Sequence, residues 1–138
     1  MKKLLIFITF VLSFIGCNKV QIEEPNKWNF NYPQNEICNY EWIGTHIMAD
    51  NNGKWFAVDG LPSSYKFTIR FKKDFTYQST GFIYSGVDKY EVEGNTIYTY
   101  ALGLFFVKYE FESIINDIAE VTVTTFDGLS FKVKMKRV

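Results

Sequence analysis

The stretch Tyr90-Glu91-Val92-Glu93-Gly94-Asn95-Thr96-Ile97-Tyr98-Thr99-Tyr100 decides the fold. Apolar and polar residues alternate before Gly94-Asn95 and continue after it, which is the period of a half-buried strand. A two-residue hairpin loop at Gly94-Asn95 sets Glu93 opposite Thr96, Val92 opposite Ile97 and Tyr90 opposite Thr99. The apolar residues then share one face, so the turn and the hydrophobic pattern choose the same register. The far face carries Tyr98 and Tyr100, leaving that strand apolar on both sides.

The same grammar runs outward in both directions. Upstream, Tyr40 to Met48 forms a first run that ends at the turn Asp50-Asn51-Asn52-Gly53, and Lys54 to Val58 forms a short second run before Gly60-Leu61-Pro62. Tyr65, Phe67, Ile69 and Phe71 then alternate with Lys66, Thr68, Arg70 and Lys72, and Lys72-Lys73-Asp74 turns the chain into Phe75–Tyr84. Downstream, Phe105, Val107, Tyr109 and Phe111 face inward against Lys108, Glu110 and Glu112, and the segment around Ser113–Ile118 is read as one helical turn. In the last hairpin, Ala119, Val121 and Val123 oppose a final strand whose face is Leu129, Phe131, Val133 and Met135. A two-residue turn at Asp127-Gly128 would bury the wrong side. A three-residue loop, Phe126-Asp127-Gly128 with Gly128 left-handed, sets Val123 against Phe131, Val121 against Val133 and Glu120 against Lys134, and leaves Phe126 exposed. About eight short strands joined by hairpin turns imply an all-β, up-and-down antiparallel meander. Such a meander removes its exposed edges by closing into a barrel.

The chain opens on Met1-Lys2-Lys3, an apolar run from Leu4 to Ile15, then Gly16-Cys17. Basic start, apolar core and small residue are the three parts of a secretion signal. The run is shorter than the roughly 20 residues of a comfortable membrane span. Removal of residues 1–16 leaves 13 basic against 15 acidic residues, a net charge of −2 on 122 residues. That excludes the basic face expected of a nucleic-acid binder and is enough chain for one cored domain, 39–138. Residues 18–37 are polar and Asn-rich with Pro25 and Pro33, so 17–38 is expected to act as a tether. Within it, Trp28-Asn29-Phe30-Asn31-Tyr32 suits an arm packed across a barrel end, or else an exposed platform for sugar rings.

Catalytic and metal chemistry find little footing. His46 is the only histidine, zinc needs three or four ligands, and no phosphate loop or Gly-x-Ser-x-Gly elbow is present. The expectation is therefore no enzyme, no metal and no cofactor. The stripe Lys132, Lys134, Lys136 reads as a solvated outer face. The inward list is bulky and predicts a largely filled interior with a shallow mouth pocket. Ser79, Gly81, Thr99 and Ala101 are the small residues that would open one side to a modest amphipathic cavity. Trp42, His46, Tyr77, Tyr90 and Tyr109 are the candidate ligand-facing residues.

The N-terminal segment resembles bacterial lipoprotein signals, with Phe14 where that pattern prefers Leu. The resemblance implies lipid on Cys17, a Gram-negative envelope location at the outer membrane, and no intramolecular disulfide partner for Cys38. Trp42-Ile43-Gly44-Thr45-His46, Tyr65–Phe71, Asp74 to Tyr77, Tyr90–Ile97 and the closing strands are similar to small bacterial lipocalin-like domains. That family often has Gly-x-Trp in the first strand, where this chain has Gly44-Thr45-His46, leaving Trp42 or Trp55 to plug the barrel base. It also tends to have Asp-Gly where this chain has Asp74-Phe75. The resemblance implies a tethered barrel that binds a small apolar or amphipathic ligand. The alternative is a surface module that binds glycan or protein through Trp28, Tyr32, Tyr98 or Tyr100.

Overall fold

A computed structural model describes residues 27–48 and 53–138. The signal segment, Cys17 and the turn at Asp50-Asn51-Asn52 lie outside the described residues. Nine strands form one antiparallel sheet: β1 (Trp42–Met48), β2 (Phe56–Ala57), β3 (Phe67–Phe71), β4 (Thr76–Gly81), β5 (Gly86–Glu93), β6 (Thr96–Ala101), β7 (Leu104–Ile115), β8 (Ile118–Thr125) and β9 (Ser130–Arg137). From β3 to β9 each strand pairs with the next, and β9 pairs back onto β1. The result is an eight-stranded up-and-down barrel. β2 lies beside the C-terminal half of β1, and the N-terminal half of β1 meets β3 through only Trp42↔Ile69 and Ile43↔Thr68.

The hairpins adopt the registers that the alternation dictates. Val92↔Ile97 and Tyr90↔Thr99 flank Gly94-Asn95, where Gly94 alone has a positive φ of 64°, the mark of a glycine-first hairpin turn. Val123↔Phe131, Val121↔Val133 and Glu120↔Lys134 flank the three-residue loop; Gly128 is left-handed at 89° and Phe126 is exposed. The expected helical turn near Ser113–Ile118 is instead a tight hairpin, with Asn116 and Asp117 at φ 51° and 66°. Asn and Asp tolerate that left-handed pair better than other side chains do. Glu120 and Lys134 are paired in register, but the Lys134 ammonium sits over the Trp55 ring, 4.6 Å from its centre.

Three bulges redirect side chains that simple alternation would misplace. Thr45 is the extra residue between Gly44↔Met135 and His46↔Lys134. Phe106 is extra between Thr99↔Val107 and Tyr100↔Phe105, and Glu112 between Phe111↔Val121 and Ser113↔Glu120. A bulge shifts the inward parity by one, so Phe105, expected inward, stands exposed beside Tyr98. Leu129 is likewise exposed because it belongs to the loop and not to the strand. Tyr65 lies in a 3₁₀ turn, Ser63–Tyr65, half-buried against Phe82. Of the small residues expected inward, Ser79 and Thr99 are buried and Gly81 is exposed.

One end of the barrel is closed. The stretch expected to be a tether is described from Lys27 onward, and there it packs on the barrel. Phe30 bridges Gly94, with Asn31 N donating to Gly94 O and Gly94 N to Asn29 O. Phe30 meets Phe111 edge-on, and Trp28 meets Tyr90 in the same way. A short helix, α1 (Gln34–Cys38), follows and buries Ile37 and Cys38. Trp42 is the plug beneath it: it is wholly buried and its Nε1 donates to Ile37 O at 3.1 Å.

Candidate functional site

The barrel interior is a packed core. Trp42, Phe71, Tyr77, Tyr90, Tyr109 and Phe111 are all essentially unexposed, and each such side chain contributes roughly 1.5–3 kcal/mol by leaving water. Four of the five sequence candidates therefore lie together inside, held by the fold. Tyr77 donates to Tyr100 O at 2.8 Å and Tyr90 to Lys72 O at 2.5 Å. Tyr90 also meets Cys38 Sγ at 3.4 Å. Ser79 and Thr99 donate to Tyr84 O and Val107 O. Tyr109 differs, because its hydroxyl has no hydrogen-bond partner among the described residues. Burial pushes the Tyr77 phenol up to about 12 and raises Tyr90 and Tyr109 as well. It also raises the Cys38 thiol.

His46 is not with them. The Thr45 bulge places it on the outer face opposite Lys134, half-buried, with Nδ1 at 3.0 Å from Thr45 Oγ1. Simple alternation from Trp42 would have kept His46 inward; Ile47 takes that place, opposite Val133. Among the described residues no three His, Cys, Asp or Glu side chains gather around a point suited to a metal ion.

Accessible concavities lie at the mouth and on the outside. At the end opposite α1, a cleft of about 250 Å³ is lined by Phe82, Ile83, Phe106, Phe126, Leu129 and Phe131, with Thr125 and Asp127 on its edge. Its walls are braced ring on ring: Phe106 stacks on Phe126 at 5.4 Å and meets Tyr84 at 4.6 Å, and Phe82 meets Phe131 at 5.8 Å. Ligand pockets for larger molecules run to roughly 300–1,000 Å³, so this cleft suits one ring or a short alkyl segment. A more open cleft of about 410 Å³ lies on the outer face between Tyr98, Tyr100, Phe105, Lys108 and Thr124, with Tyr100 Oη donating to Glu91 at 3.1 Å.

The mouth residues were largely invisible to the sequence. Phe126 could be assigned to an exposed loop, but Phe106 enters the wall only because it is the bulged residue. Phe82 and Ile83 sit in a connection with no period to read. Comparison with family models, curated proteins and solved structures gives no match. The class is thus defined by geometry alone: a closed eight-stranded barrel with a filled interior, one plugged end and one aromatic mouth.

Proposed function

We propose that this protein is a non-enzymatic lipoprotein of the Gram-negative outer membrane whose barrel binds a small apolar or amphipathic molecule at its mouth. The observation that carries the reading is the Phe-lined mouth cleft above a filled interior. A solid core leaves the mouth as the place where an apolar group gains burial against prearranged aromatic walls. The anchor rests on Met1–Cys17: several acyl chains on Cys17 would hold the domain far more firmly than one.

Mass spectrometry of the protein purified from its native membrane tests the anchor, with acyl mass on Cys17 expected; a chain that begins elsewhere without lipid overturns it. Titration with an anilinonaphthalene sulfonate probe tests the mouth. Saturable binding should be lost in Phe106→Ser and retained in Tyr98→Ala. Equal binding by both variants, each shown to be folded by circular dichroism, overturns the mouth as the site. The outer cleft supports a second reading, a sugar ring laid on Tyr98 and Tyr100 beside Glu91. Loss of oligosaccharide binding in Tyr98→Ala with Phe106→Ser unaffected is the result that would favour it.

A further inference from the structure

Of the eleven large apolar residues that stand exposed among the described residues, eight lie at the open end. Topology puts them there, because the β4–β5, β6–β7 and β8–β9 connections all emerge at the end opposite the plug. The most prominent are Leu102 at 95 % exposure, Leu104 at 73 %, Phe126 at 64 % and Leu129 at 59 %. Leu102 breaks two local rules at once. It occupies a left-handed position, φ 54°, in a two-residue turn that favours Asn or Gly, and it holds an apolar side chain in water at the tip. The turn itself is well made, since Leu102 N donates to Asp88 at 2.9 Å. The far end is built differently: Arg137, Glu36 and Asp117 form an ion-paired cluster there.

We propose that the open-end hairpin tips, led by Leu102, Leu104 and Phe126, dip into a lipid bilayer surface. An apolar concentration on one end of a molecule marks either a membrane or a protein contact, and composition separates the two. Protein hot spots are enriched in Trp, Tyr and Arg and poor in Leu, whereas the most exposed large apolar side chains of these tips are Leu and Phe; the carboxylate of Asp127, beside Phe126, stays on the hydrated side. They are also separate protrusions, which a fluid surface accepts without matched sockets, while the hydrogen-bonded turn backbone stays at the hydrated interface. Phe126 and Leu129 also line the mouth cleft, but Leu102 and Leu104 do not, so the inference is tested at Leu102 independently of the mouth ligand. It is also compatible with an anchor at Cys17. Nine residues lie between Cys17 and Lys27, a reach of about 35 Å when extended, against a length of about 20 Å for a strand such as β6.

The test uses the full chain on phosphatidylcholine vesicles, with and without bromine on the acyl chains. Tryptophan is introduced by Leu102→Trp at the open end or by Ile115→Trp at the plugged end, and the added emission is read against the wild type. Brominated lipid should quench the emission added at position 102 and spare that added at 115. Leu102→Asp should weaken the vesicle binding contributed by the tips about tenfold or more, with little dependence on salt. Quenching at neither position, or equally at both, overturns the proposal. So does concentration-dependent self-association in the absence of lipid that Leu102→Asp abolishes, which would assign the tips to a second copy of this chain. An anchorless result at Cys17 leaves the position-specific readout intact.

Discussion

Phe75 carries a side chain where the backbone favours none. Its φ of 65° is left-handed, a conformation that costs an L-residue roughly 1–2 kcal/mol, yet its ring packs on Tyr90 at 5.5 Å and near Trp28 at 6.2 Å. The two terms separate by mutation. Phe75→Ala loses the packing and keeps the strain, whereas Phe75→Gly loses the packing and relieves it. Urea unfolding should therefore find the glycine variant more stable than the alanine variant by about 1 kcal/mol, the reverse of their order in ordinary strand positions. Buried phenols offer a matching contrast. Tyr109→Phe removes a hydroxyl with no hydrogen-bond partner among the described residues and should leave stability unchanged or raise it, whereas Tyr90→Phe breaks the bond to Lys72 O and should lower it by about 1 kcal/mol. A comparable loss in both variants would show that the Tyr109 hydroxyl is satisfied.

Between elements, Arg137 ties the plug to the barrel. From β9 its guanidinium reaches Asp117 in the β7–β8 turn and both the side chain and the carbonyl of Glu36 in α1, each at about 3 Å, and it lies over the Tyr40 ring. The carboxylates are half or more exposed, so screening keeps the ion pairs modest; the fork geometry and the stacking supply the rest. Arg137→Ala should lower stability by about 1–2 kcal/mol and speed amide exchange in α1 before it does so in β8. Uniform acceleration across both would place the effect in the whole barrel.

The elements also show what a sequence can state about itself. Alternation plus turn chemistry sufficed for the hairpins at Gly94-Asn95 and Phe126–Gly128, because one face is buried and a slip of one residue would bury Glu and Lys. It failed at Thr45, Phe106 and Glu112, since a bulge leaves no signal in a two-residue period. Those failures reach the candidate site directly: Tyr77, Tyr90 and Tyr109 face inward as the alternation requires, but none of them lines the mouth cleft, which Phe106 enters only through its bulge, and His46 is a half-buried strand residue on the outer face.

For the molecule as a whole, the phenols of the core set an alkaline limit. Burial raises Tyr77, Tyr90 and Tyr109 above the ordinary value of 10. The native state therefore keeps protons that the unfolded chain releases once the pH passes about 10, and stability falls as pH rises from there. The contribution is complete below pH 10, and for Tyr77 it is lost through about 12. Urea midpoints should thus begin to fall near pH 9, where the unfolded chain ionises the thiol that burial protects at Cys38, and drop steeply above about pH 10; a triple Phe variant that still folds should flatten the steep part.

The barrel is sewn shut by long-range pairing at one strand. Every other join links neighbours along the chain, whereas β1 must find β9 across nearly the full domain and then holds β3 through two residue pairs. Local pairs form early in folding and distant ones late, so the β3–β9 meander is expected to assemble first as an open, curved sheet, with β1 as the final stave. A chain caught before that step presents two bare strand edges. Substitutions that loosen β1, such as Gly44→Ala, whose new methyl would strike the Phe67 ring, should slow closure and raise the yield of edge-to-edge aggregates during refolding.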